Sequence, residues 1–332
     1  MKRILIFFLL CLGVMPVQAD FVAGLDAFNS QQYAKAFSEF KPLADAGDFR
    51  SQYYTGYLYL SGYGGVSQDN EKALSYLRKS ANANYDLAQS LLGFIYSEGK
   101  IVPQDKEKAL ELYNKAAEQN NISAFLNLGV LYYTGDGVEQ DVKKAISYFE
   151  RIPLKEKPIV GRYLGDIYLY DSELLDYHKA LEYYTIAAQS GDLGAYHALG
   201  YMNQKALGTT QDMDLAQQYY LYAASQNHAP SQYALGAMYA NSEIGKGDLI
   251  KGYAWISLAA NQKLKDAENT IKKIDIRMTL SDIEAARRES IEIQKSIIGK
   301  IEKPLKPPEE VVDQETTEEE PIKRRPRRRR RR

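Results

Sequence analysis

Few residue types in this chain could carry chemistry: His178, His197 and His228, the single Cys11, a set of recurrent aspartates, and a terminal block of arginines. The histidines share no common spacing, and none forms an HExxH pair or another tight ligand set, so the sequence offers no scaffold for metal-assisted hydrolysis. No GxGxxG, P-loop or GxSxG segment occurs. Gly62-Tyr63-Gly64-Gly65 resembles a phosphate-cradling loop, but its counterpart at Gly135–Gly137 marks it as a connection between helices. Asp69, Asp105, Asp141 and Asp212 could supply acids for hydrolysis. An acid repeated at one fixed offset is better explained as a helix cap, because catalysis needs unlike groups that converge on one point. The residues therefore predict no enzyme, no catalytic or metal-ligating group and no cofactor.

The arginine block is different. Residues 321–332 carry nine bases and no acids, and residues 309–320 carry seven acids and no bases. Segregated charge with few apolar anchors predicts a disordered tail over 304–332. Lys323, Arg324, Arg325, Arg327, Arg328, Arg329, Arg330, Arg331 and Arg332 are its candidate anion-binding residues. They suit lipid phosphate, lipopolysaccharide or an acidic polymer. They could equally fold back on the acidic block, or do no more than solubilise. Nucleic acid is disfavoured, since no aromatic side chain is interleaved to stack on bases.

The whole chain has 332 residues and a formal net charge of -1. That balance conceals +3 in the tail, +2 in residues 1–19 and -6 in residues 20–303. Residues 1–19 place Lys2 and Arg3 before an apolar run from Ile4 to Leu12 and end on Val17-Gln18-Ala19. This order predicts a secretory signal peptide. The run is shorter than the roughly 20 residues of a spanning helix. An uncleaved anchor and a lipidated Cys11 are the competing readings; Leu10 stands where lipidation expects a small residue. A cleaved chain would hold no cysteine and would sit in the bacterial periplasm or be secreted.

The elements between these ends repeat. Gly56, Gly93, Gly129, Gly165, Gly200 and Gly236 follow one another at intervals of 37, 36, 36, 35 and 36 residues. Three residues after them stand Tyr59, Tyr96, Tyr132, Tyr168, Asn203 and Tyr239. Asp69, Asp105, Asp141, Asp176 and Asp212 each precede an alanine by four residues, while Asp248 has Gly252 in that slot. Apolar residues within 105–119 recur at helical spacing, and Gly135-Asp136-Gly137 ends the preceding segment. Each period thus reads as a helical hairpin that buries its apolar face only by stacking on its neighbours. Small residues at Ala124 and Gly129 should let helices approach closely, with tyrosines and leucines filling the wider gaps between hairpins. Pro153 and Pro158 break the Asp141 period, and Asn203 in the tyrosine slot predicts a local kink or neutral drift.

The run from Ala124 to Ala145, AFLNLGVLYYTGDGVEQDVKKA, resembles the Sel1-like repeat family, a relative of the tetratricopeptide repeats. The resemblance covers roughly residues 26–295 and implies an all-α, right-handed superhelical solenoid of stacked antiparallel helical hairpins. About seven hairpins and a capping helix from Ser281 would fill residues 20–303. It also implies a monomeric adaptor that binds a protein partner in a concave groove, as in bacterial envelope or host-interaction proteins. Regulation of a peptidoglycan enzyme, or action on peptidoglycan itself, is the alternative. The disulfide pattern of cysteine-rich secreted members does not carry over, since Cys11 is the only cysteine.

Overall fold

The computed structural model describes residues 19–241 and 248–301. The expected signal segment, Ala19 apart, and the expected tail lie outside the described residues. Among those residues there is no strand, and no helix is long and apolar enough to cross a membrane. The chain divides into two compact units, residues 1–160 and 161–332.

The first unit holds α1 (Phe21–Asn29), α2 (Tyr33–Asp45), α3 (Phe49–Ser61), α4 (Asn70–Asn82), α5 (Asp86–Glu98), α6 (Lys106–Glu118), α7 (Ile122–Thr134) and α8 (Val142–Phe149). The second runs through α9 (Pro158–Tyr170), α10 (Tyr177–Gln189), α11 (Leu193–Lys205), α12 (Met213–Ala224), α13 (Ala229–Ala240), α14 (Leu249–Asn261), α15 (Lys265–Asp275) and α16 (Leu280–Ile301). Successive helices pair and the pairs stack, as in α3 on α4 and α4 on α5, or α11 on α12 and α12 on α13, while the last helix, α16, packs on α14. This is the repeat-solenoid arrangement of helical hairpins.

Local chemistry sets the helix ends. Asp69, Asp105, Asp141, Asp176, Asp212 and Asp248 each accept a hydrogen bond from the backbone N–H three residues on, which opens the second helix of a hairpin. In the first unit the first helix of a hairpin ends on Gly62, Gly99 or Gly135, at φ of +69°, +68° and +73°. Side chains rarely adopt that geometry, so glycine is the residue of least cost. Only eight residues form α8; Pro153 follows it, and Pro158 is the first residue of α9, where its missing N–H is harmless. The last helix begins at Leu280, one residue earlier than the sequence suggested. Thr279 and Asp282 cap it reciprocally, the Asp282 N–H donating to Thr279 Oγ1 and the Thr279 N–H and O–H donating to the Asp282 carboxylate.

The hairpin interior departs from the expected distribution of large residues. A Cβ built on Gly93 would lie 2.8 Å from Tyr113, on Gly165 2.6 Å from Tyr184, and on Gly200 2.8 Å from Tyr220. Leu77 faces Gly56, Phe149 faces Gly129 and Ile256 faces Gly236 in the same way. All six large residues are buried. Large side chains therefore fill the contact inside the hairpin, directly over the glycine, and not only the gaps between hairpins. The residues five positions before each glycine, Ser51, Ala88, Ala124, Val160, Ala195 and Ser231, mostly small, are wholly buried as well. Gly252 replaces alanine because a Cβ there would meet the Gly236 carbonyl oxygen and the Ala240 nitrogen, each at 2.8 Å.

Asn203 causes no break in α11, which runs uninterrupted from Leu193 to Lys205. The buried Asn203 amide donates to the Leu199 carbonyl at 2.9 Å, satisfying itself within its own helix.

Candidate protein-binding surface

Each signature tyrosine meets the following helix in a recurring way. Lys72 lies 5.5 Å from the ring centre of Tyr59, Lys108 4.4 Å from Tyr96, and Lys144 4.1 Å from Tyr132. Lys179 and Lys251 sit likewise over Tyr168 and Tyr239, at 4.8 and 4.6 Å. Each lysine is the third residue after the capping aspartate, so the cap fixes its placement. The exception is informative: where Asn203 replaces tyrosine, Leu215 replaces lysine. The two members of the cation–π pair are lost together, as expected if each holds the other. Three of these tyrosines also stack on a second ring: Tyr59 on Tyr76, Tyr132 on Tyr148 and Tyr168 on Tyr183, with centres 5.7–6.1 Å apart.

In the first unit α4, α5 and α6 enclose a cleft of about 460 Å³. Its cations are Arg78, Lys108 and Lys115; Leu92 and Leu112 give it apolar surface, and Asn82, Asn84 and Gln89 give it amides. Arg78 Nη2 donates to the Tyr96 hydroxyl at 3.3 Å. Burial works to raise the pKa of that phenol, but hydrogen bonds and charge from Lys108 and Arg78 outweigh it and hold it below its usual value. Gln89 donates to the Asn84 side-chain oxygen at 2.8 Å and accepts from Gln119 at 2.9 Å, fixing the amides at one end. Sequence reading passed over this group, because its members come from three helices and, of its polar residues, only Tyr96 and Lys108 belong to the repeating pair.

The second unit carries a buried polar cluster. Ser231, wholly buried, lies 2.8 Å from His228 Nδ1 and 3.3 Å from His197 Nδ1. Burial, reinforced by the charge of His228, pushes the pKa of His197 down to about 4. Burial also lowers that of His228, while Asp192 pulls it up and Arg162 pushes it down. Arg162 reaches Asp192 at 3.3 Å and Asp166 at 3.7 Å, and Tyr184 donates to Asp166 at 2.7 Å. A serine between two histidines suggests a nucleophile, but no solvent reaches Ser231, and the cluster ties adjacent hairpins together. His178 is exposed near the start of α10, apart from this pair. Among the described residues no group of three or more His, Cys, Asp or Glu is placed to hold a metal ion. Lys323 and Arg324 to Arg332 lie outside the described residues.

The hairpins have known counterparts. The model of the Sel1 repeat matches residues 50–85, 86–121, 123–152, 162–192, 194–228 and 229–264. The chain belongs to the Sel1 repeat family. A Sel1 repeat protein from Oxalobacter formigenes is similar in structure, with 28% identity over 73% of this chain and all of that one and a TM-score of 0.64. A protective antigen of uropathogenic Escherichia coli strains, displaying an SLR fold, is 26% identical over 84% of this chain and 60% of that one, at a TM-score of 0.66. No curated protein matches. Sel1 hairpin stacks are a fold typical of protein–protein interaction scaffolds, since each added hairpin covers its neighbour's apolar face and extends the contact surface.

Proposed function

We propose that this Sel1 repeat protein is a non-enzymatic scaffold or adaptor that binds a protein partner along its hairpin faces, within the bacterial envelope or outside the cell. The observation that carries the reading is the repetition itself: six matched repeats in which glycine, alanine and the capping aspartate are spent on building one hairpin after another. The polar groups that remain, such as those of the α4–α6 cleft, suit recognition of a surface. The order of charge and apolar residues in 1–19 supports export, and the basic end supports attachment to an anionic envelope surface.

The test is crosslinking and co-purification from the native cell with residues 20–303 and, separately, with the chain from residue 20 to its end. Both should recover the same partner. Loss of every specific partner on removing the tail would overturn the assignment to the hairpins.

A further inference from the structure

The cleft between α4, α5 and α6 holds charge that hairpin building does not require. Lys108 belongs to the repeating tyrosine–lysine pair, but Arg78 does not. At its place in the other repeats stand Asn114, Glu150, Thr185, Leu221 and Ser257. The fold therefore accepts a neutral, apolar or acidic side chain there. Arg78 and Lys108 nonetheless converge on one phenol from two different helices. Neither forms an ion pair with a carboxylate among the described residues, and none of the lining residues is acidic. Lys115, the third cation, pairs with Glu111 at 2.5 Å, which itself lies outside the lining.

From this juxtaposition we propose that the α4–α6 cleft is a carboxylate site that takes a glutamate-rich segment of the protein partner. The inference rests on the scaffold reading and names the partner's chemistry. Arg78 offers a planar fork matched to a carboxylate, and Lys108 a second charge beside it. Leu112, half-buried at the cleft, can cover the methylene stem of a glutamate, which a bare phosphate lacks. Asn82 and Asn84, both exposed, present amides that can hydrogen-bond an extended peptide backbone. These features together favour an acidic peptide over an inorganic anion.

The experiment uses the chain from residue 20 to its end with Lys323 and the eight arginines of 324–332 replaced by glutamine in every variant, so that the basic end cannot hold the probe, and fluorescent poly-L-glutamate as the probe, with poly-L-glutamine as the uncharged comparison. Arg78→Gln and Lys108→Gln should each weaken poly-glutamate binding about tenfold, the scale of one lost hydrogen bond to a charged group. Lys265→Gln and Lys272→Gln, which remove equal charge from α15, should leave it unchanged. Matching circular dichroism across the variants shows that folding is not the cause. Absence of binding, equal loss in the α15 controls, or complete displacement by inorganic phosphate overturns the proposal. Failure here is separable from failure of the scaffold reading: a native partner that still co-purifies with Arg78→Gln leaves the scaffold in place and removes the cleft.

Discussion

Substitution at Gly129 tests the packing rule that builds the hairpins. A Cβ on Gly129 would lie 2.6 Å from Cδ1 and 2.9 Å from Cζ of Phe149. Carbon atoms normally meet at about 3.5–4.0 Å, so the ring would have to retreat by roughly 1 Å. Phe149 is fully buried, and a close-packed interior has no slack of that size. Overpacking of this kind costs about 1–3 kcal/mol. Alanine recovers roughly 0.8–1.0 kcal/mol of that through helix propensity. Gly129→Ala should therefore lose up to about 2 kcal/mol, and Gly129→Leu, with three further carbons to place, should fall near the top of the overpacking range. Urea denaturation followed by circular dichroism measures both. Phe149→Leu shortens the opposing side chain and should relieve the clash. The double variant Gly129→Ala/Phe149→Leu should then be more stable than the two single losses imply, by about 1 kcal/mol. Strict additivity, or a Gly129→Leu midpoint equal to the parent's, would refute the close contact.

Removing the cap at Asp105 by alanine leaves the Lys108 N–H without its acceptor and should cost about 1 kcal/mol in the same assay. In a double-mutant cycle, Lys144→Met and Tyr132→Leu should couple by roughly 0.5–1 kcal/mol, while the same exercise at Leu215 and Asn203 should show no cation–π coupling. Acidification should weaken the second unit. His197, with a pKa of about 4 in the fold, resists a proton that the unfolded chain takes up below about 6.5, so stability is greatest above that value and falls as pH drops toward 4. With His228, Asp192 and Arg162 as its charged or titratable neighbours, the loss between pH 7 and pH 5 should reach about 2 kcal/mol and shrink in His197→Gln. A pH dependence unchanged by that substitution would show that His197 is not its source. Truncation after Pro321 should abolish binding to anionic liposomes at low salt without altering the helical spectrum. Equal binding by truncated and intact chains would reject a tether.

The sequence by itself determined the features whose physics is local or periodic. A capping aspartate acts on an N–H three residues away, so Asp69 through Asp248 were legible as helix starts from spacing alone. The interval of 35–37 residues between glycines announced identical hairpins, because one hairpin cannot bury its own apolar face. What lay across a hairpin was not legible. Leu77, Tyr113, Phe149 and Ile256 each stand eight residues after a capping aspartate, but they differ in type, and that each rests on its glycine depends on the crossing of two helices and on which rotamer fits, which spacing does not give. Of the two readings at Asn203, a local kink or neutral drift, α11 shows no break: the side chain found an acceptor in its own helix, and its departure was matched by Leu215 on the next. The candidate site is the clearest case. Arg78, Tyr96 and Lys108 are spread over 31 positions and three helices, and two of them serve the repeat. Only stacking one hairpin on the next brings their charges to one hydroxyl and leaves beside them a cleft that no carboxylate of its lining neutralises.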